Sequence, residues 1–145
     1  LRKDQSVAIH VRRTDYVGNP NLVLPEQSYY ESSMSRIRER HPDARFWVFS
    51  DDPSWCLNHF RSSDVTVLKH SNPLSPLEDL HLMSLARHHI IANSSYSWWA
   101  AWLGAKTDQL VIMPDRWFHQ NGMAPVEDKQ PPGWITVPAT HHDHG

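Results

Sequence analysis

The sequence predicts an α/β fold in which a parallel sheet is covered by helices on both faces. Short β-branched or aromatic runs recur along the chain, and each is followed by helical periodicity rather than by a hairpin turn. Strands that alternate with helices become parallel neighbours through right-handed crossovers, which gives three layers. The length, 145 residues, is that of one ordinary domain and suffices for a core without staples.

Val7 to Val11 is an apolar, β-branched run bounded by charge and predicts the first strand. Pro25-Glu26 opens the first helix, because proline suits the first helical position and a carboxylate suits the positive N-terminus. Tyr30, Met34 and Ile37 then share one face, Arg36, Arg38 and Arg40 gather near the end, and His41-Pro42 stops the helix. Phe46 to Phe49 predicts the second strand. Asp52 as N-cap and Pro53 behind it open a short helix to about Phe60. Val65 to Leu68 reads as the third strand and Pro76 to Arg87 as a helix with Leu77, Leu80, Ser84 and Leu85 near its inner side. Ile90 to Ala92 is the fourth strand, Asn93 to Tyr96 a turn, and Ser97 to about Ala105 a helix rich in tryptophan and alanine. Leu110 to Met113 is the fifth strand, closed by Pro114. Residues 1–118 make up the domain and 119–145 an irregular tail whose last five residues read as disordered.

Several function classes drop out on composition. Fourteen Lys+Arg against 16 Asp+Glu leave a formal charge of −2, with no footprint for nucleic acid and no polybasic patch for a membrane surface. No apolar window is long enough to span a bilayer, and Leu1 to Ser6 has no apolar run of the signal-peptide kind. The single cysteine, Cys56, excludes an intrachain disulfide framework and a multi-cysteine zinc site. There is no G-x-x-x-x-G-K-[ST], no G-x-G-x-x-G and no H-E-x-x-H. Asp-x-Asp, the usual carboxylate pair for a divalent ion bridged to a nucleotide diphosphate, is also missing. No metal or other cofactor is expected; any diphosphate bound here would be neutralised by arginine.

In an open α/β sheet ligands bind beyond the carboxyl ends of the strands. His10, Arg12, Arg13 and Asp15 leave the first strand, and Ser50, Asp51 and Asp52 leave the second. Asp79 lies in the opening turns of the helix after the third strand, and Asn93, Ser94 and Ser95 follow the fourth. His10 and Arg12 are two residues apart, so they share a strand face while Arg13 turns away. Arg12 offers a bidentate fork for a phosphate or carboxylate, with an ion pair to Asp15 as the alternative; for Arg13 both readings stand. The serines precede a helix N-terminus, which suits phosphate, although N-capping alone accounts for them. Asp79 also fits as a first-turn acid, Asp51 and Asp52 lean structural, and Trp98, Trp99 and Trp102 are expected in the core.

These pieces together resemble a known family. His10-Val-Arg-Arg-Thr-Asp-Tyr16, Phe49-Ser-Asp-Asp52, Asp79-Leu-His-Leu-Met-Ser84 and Ile91-Ala-Asn-Ser-Ser-Tyr-Ser-Trp-Trp-Ala-Ala-Trp-Leu103 resemble the motifs of α-1,2-fucosyltransferases, the bacterial branch above all. More distantly they are similar to α-1,6- and protein O-fucosyltransferases. The resemblance runs from about Ala8 to Trp117. It implies inverting, metal-independent transfer of L-fucose from GDP-β-L-fucose to a galactose 2-hydroxyl of a glycan acceptor. The implied fold is the two-domain GT-B type, with the donor in a C-terminal Rossmann-like half. By the resemblance Arg12 grips the β-phosphate and offsets charge on departing GDP, and His10 contacts the nucleotide. Arg13 counts with the donor-binding set, Asp79 accepts from guanine, and Ser94 and Ser95 hold phosphate oxygens. Asp15 is the nearest general base, unless an oxocarbenium-like path needs little base.

Members of the family carry a further N-terminal region before the His-x-Arg-Arg motif, which here begins at residue 10. The expectation is therefore a donor-binding half with an incomplete acceptor site, weakened GDP binding and low or absent turnover. Membrane association would come only through the missing region. A bacterial cytoplasmic setting fits better than the Golgi lumen, although Asn93-Ser94-Ser95 matches an N-glycosylation sequon. The alternatives are a non-catalytic sugar-nucleotide binding module, a phosphate-ester hydrolase using Asp51 or Asp15, and a lectin built on the tryptophans.

Overall fold

The computed structural model describes residues 6–13, 24–68, 76–104, 109–115 and 130–140. Along the chain it runs β1 (Ser6–Val11), α1 (Gln27–Arg40), β2 (Arg45–Ser50), α2 (Pro53–His59), β3 (Val65–Val67), α3 (Pro76–Ser84), β4 (His88–Ile90), α4 (Ser95–Leu103), β5 (Val111–Pro114) and β6 (Ile135–Val137). All pairings are parallel, in the order β3-β2-β1-β4-β5-β6. That is the strand order of the doubly wound, Rossmann-like fold, whose topological switch point falls between β1 and β4.

Alternation along the strands sorts the core into two layers. Val7, Ile9 and Val11 of β1 and Phe46 and Val48 of β2 pack with Tyr29, Tyr30, Met34 and Ile37 of α1 and Cys56 of α2. Their neighbours in sequence, Ala8 and Phe49, face Met83 of α3, Ala86 and Ala100 of α4. Ile91, Val111 and Met113 meet Ala101, with Trp98 and Trp134 against them. Helices thus cover both faces, as the alternating pattern predicts.

The element ends differ from expectation in instructive ways. Glu26, not the residue before it, is the N-cap of α1, so Pro25 stays outside the helix. The Glu26 N–H is instead donated to the Ala139 carbonyl at 2.9 Å. Helix α3 stops at Ser84 rather than Arg87: Leu85 and Ala86 donate three residues back, and the Arg87 N–H already joins Ser6 of β1 at 3.0 Å. Strand β4 is His88–Ile90, two residues earlier than expected, because both imidazoles are buried and His88 Nδ1 accepts from the Leu110 N–H at 2.9 Å. Two polar letters hid the start of a buried strand. Helix α4 begins at Ser95 with Ser94 as N-cap, since a hydroxyl that caps a helix was counted as turn.

The expected irregular tail is the largest departure. Residues 135–137 form β6, which extends the sheet beside β5. A tight turn introduces it: Gly133 has φ 87°, and the Trp134 N–H is donated to the Pro131 carbonyl at 3.2 Å. Proline then glycine at the two central positions is the type II arrangement, which demands a residue tolerant of positive φ. Beyond β6, the Ala139 N–H is donated to Asp115 Oδ1 at 3.0 Å, which ties the segment back to β5. The last five residues, with their expected disorder, lie outside the described part.

Candidate functional site

The crevice beyond the carboxyl ends of β1 and β4 is where the chain leaves one strand toward α1 and the other toward α4, on opposite faces. Two tyrosines of α1 pin its floor. The Tyr30 hydroxyl donates to the His10 carbonyl at 3.2 Å, and the Tyr29 hydroxyl lies 2.6 Å from the Ile91 carbonyl and 3.2 Å from that of Ile112. Hydroxyls of one helix turn thus reach β1, the residue after β4, and β5.

His10 lies on the α3–α4 side of β1, 7% exposed, with its ring 5.5 Å from that of Tyr96. Burial, reinforced by the Arg12 guanidinium, lowers its pKa from 6.5 to about 4, although Asp51 pulls the other way. The ring is therefore neutral near pH 7, and its Nδ1 is buried with no hydrogen-bond partner among the described residues. Arg12 follows on the same side, its Nε 3.6 Å from Asp51 Oδ2 and its side chain 32% exposed. The Tyr96 phenol feels both Arg12 and Asp79, and burial with the Asp79 carboxylate pushes its pKa up to about 12. His10, Arg12, Asp79 and Tyr96 thus form one group, drawn from β1, the first turn of α3 and the first turn of α4.

At the α4 N-terminus the Ser94 Oγ accepts from the Tyr96 N–H at 3.2 Å, and the buried Ser97 Oγ reaches the Ala92 and Ser94 carbonyls at 3.4 Å each. Capping by Ser94 is therefore real, and it leaves the dipole of α4 directed at the crevice. Ser95 is the first residue of that helix. Asn93 is 3% exposed, so its amide is shielded from glycan attachment in the folded chain.

Arg13 goes elsewhere. Its guanidinium sits over the Trp55 ring, 4.2 Å from the centroid, with Nε 3.5 Å from Asp52 Oδ2, and its backbone N–H is donated to Asp51 Oδ1 at 2.9 Å. Asp52 caps α2 by accepting from the Trp55 N–H at 3.3 Å, as the sequence predicts. The expected partner Asp15 lies outside the described residues; the arginine partners seen are Asp51 and Asp52. The group that forms around His10 therefore does not draw on Arg13, the one donor-set member that the structure shows engaged with α2.

Tyr96 is the site residue that sequence reasoning missed. The available signal was its place two residues past a serine cap, where a side chain faces whatever the helix N-terminus faces. The tryptophans divide: Trp98 packs against the core, whereas Trp99 and Trp102 are half exposed, so the expected burial holds for one of three. Among the described residues no three His, Cys, Asp or Glu side chains converge to hold a metal ion, and no helix is long and apolar enough to cross a membrane.

Fold and site together define a doubly wound α/β domain whose switch-point residues include a basic Arg12 and an acidic Asp79. The sequence matches glycosyl transferase family 11 over residues 1–138, and the chain belongs to that family. It is 36% identical to an α-1,2-colitosyltransferase of Escherichia coli over 94% of this chain and 49% of that protein. It is 38% identical to the O-antigen biosynthesis glycosyltransferase WbnK of Escherichia coli over 80% of this chain and 40% of the relative. With galactoside α-(1,2)-fucosyltransferase 2 of Bos taurus it shares 32% identity over 95% of this chain and 42% of the other. The chain thus spans from two fifths to one half of the length of these relatives.

Proposed function

We propose that this chain forms the GDP-β-L-fucose-binding half of a metal-independent, inverting α-1,2-fucosyltransferase of GT-B type, acting on a galactose 2-hydroxyl. The observation that carries the reading is the group of His10, Arg12, Asp79 and Tyr96 beside the α4 N-terminus at the switch point. A nucleoside diphosphate has two ends of opposite demand. Its phosphates suit a guanidinium fork and a positive helix end. Guanine offers two adjacent N–H donors, N1–H and the exocyclic amine, which suit a carboxylate such as Asp79. Arg12 and the α4 dipole stabilise the negative charge that grows on GDP as the glycosidic bond to fucose breaks. His10 contributes a neutral hydrogen-bonding nitrogen rather than a charge. Ser94 and Ser95 contribute through the helix end they open, and Asp15 is the proposed base for the acceptor hydroxyl.

The colitosyltransferase among the relatives favours a second reading of the sugar alone: the same crevice serves a colitosyl donor. Titration of the chain in EDTA with GDP, GDP-fucose and ADP tests the donor site. Guanine-selective binding that survives chelation is expected. Equal affinity for ADP, or dependence on a divalent ion, would contradict it.

A further inference from the structure

The pairing of β1 with β2 does not stop where the strands do. Val11 opposite Ser50 is the last rung of the parallel ladder. Two ion pairs continue it in the same register: Arg12 Nε lies 3.6 Å from Asp51 Oδ2, and Arg13 Nε lies 3.5 Å from Asp52 Oδ2. The β2 side of these rungs is tied down locally. The Asp52 N–H is donated to Ser50 Oγ at 2.9 Å, and Asp52 Oδ1 caps α2 by accepting from the Trp55 N–H at 3.3 Å. Asp51, beside this turn, uses its two oxygens differently. Oδ1 accepts from the Arg13 backbone N–H at 2.9 Å, which fixes the carboxylate against the chain as it leaves β1. Oδ2 is turned to the Arg12 guanidinium, and at 3.6 Å the contact is one of charge rather than a hydrogen bond.

We propose that Asp51 is the positioning residue for Arg12: anchored through one oxygen to the Arg13 N–H, it holds the guanidinium at the crevice through the other. This rests on the donor reading above and adds how an arginine on a flexible stem, its side chain 32% exposed, is in place before a ligand arrives. The entropy of ordering that stem is then lost on folding rather than on binding. Arg13 is held in the same way by Asp52 and Trp55 and supplies the internal comparison.

Asp51→Asn keeps an oxygen for the Arg13 N–H and removes the charge that faces Arg12. A bystander carboxylate and a positioning one then differ in the sign of the effect. Deleting a negative charge beside a phosphate site strengthens anion binding, whereas loosening Arg12 weakens it. Calorimetric titration should show GDP and inorganic pyrophosphate each weakened about fivefold in Asp51→Asn. In an Arg12→Ala background the same substitution should leave both ligands within about twofold, because the residue it acts through is gone. Unchanged or tighter binding in Asp51→Asn alone, or a fivefold loss in the Arg12→Ala background as well, overturns the proposal. Relaxation of the arginine side-chain Nε–H groups by ¹⁵N NMR gives a readout that needs no ligand. The Arg12 order parameter should fall in Asp51→Asn while that of Arg13 stays, and Asp52→Asn should reverse the pattern. An Arg12 group as ordered in Asp51→Asn as in the wild type also overturns the proposal. A wild-type chain that binds ADP as well as GDP counts against the donor reading alone, and the Arg12 relaxation then decides the role of Asp51.

Discussion

On the α1–α2 face, β1 contributes Val7, Ile9 and Val11 to a layer closed by Tyr29, Tyr30, Met34 and Ile37. On the α3–α4 face the same strand contributes Ala8 and His10, with Arg12 beyond its end; α4 supplies Ala100 and Ala101, and the turn after α3 supplies Ala86. Large branched side chains seal the first face. On the second, alanines mix with Phe49 and Met83, and the ends of α4 and α3 lie close to each other: a Cβ added at Gly104 would overlap the Ser84 carbonyl oxygen, with Ser84 C at 2.9 Å. Polar groups then collect on this face beyond the strand ends, where His10 and Ser94 are buried. A two-residue repeat in one strand has thus separated the work of holding the fold from the work of meeting a ligand.

Replacing a residue on the sealed side should have the largest effect. Ile9→Ala removes a fully buried side chain and should cost about 2–5 kcal/mol in urea unfolding, because the layer around it cannot collapse into the gap. A loss under about 1 kcal/mol would mean that this face is looser than its burial indicates.

Acid should act on both faces through one histidine each. His88, stacked on His41 at 4.6 Å on the α1 side, is lowered to about 4 by burial and then by the charges of His41 and Arg87. His10 is lowered to about 4 on the site side. The unfolded chain takes up these protons near 6.5, the folded chain only near 4, so the unfolded state binds more protons in between. Stability should therefore fall as pH drops from 6.5 to 4. The loss is up to about 3 kcal/mol per ring. Unfolding curves at the two ends of that window, for the wild type and His88→Leu, should show the variant losing roughly half as much.

A smaller effect is expected where the ends of α3 and α4 meet. Gly104→Ala forces α4 away from the α3 end and should cost about 1–3 kcal/mol as an overpacked contact. Thermal unfolding measures it, and an unchanged melting temperature would show that the crossing has slack.

Much of this was legible in the sequence, and the gaps have physical reasons. Strand-helix alternation predicts five strands and four helices in the order observed, because each apolar run carries its own period. The His10/Arg12 pairing followed from strand geometry alone. Strand β6 was hidden because Ile135, Thr136 and Val137 are only three residues, and the Pro-Pro-Gly turn before them suggested a tail rather than a crossover. Tyr96 was hidden because its ring contact with His10 joins two separate segments, and periodicity within one segment cannot report that. Arg13 had two readings in the sequence; it was Trp55, the third residue of α2 on the other face, that drew its guanidinium away.

The two neighbouring arginines give the most direct measurement: GDP titration of Arg12→Ala beside Arg13→Ala, with unfolding curves for both. Arg12→Ala should lose at least about tenfold in GDP affinity, the worth of a charge-assisted hydrogen bond to phosphate, at little cost in stability. Arg13→Ala should keep its GDP affinity within about twofold and lose about 1 kcal/mol of stability with its Trp55 and Asp52 contacts. Equal loss of GDP binding in both variants, or the reverse pattern, would contradict the division of work between the two faces.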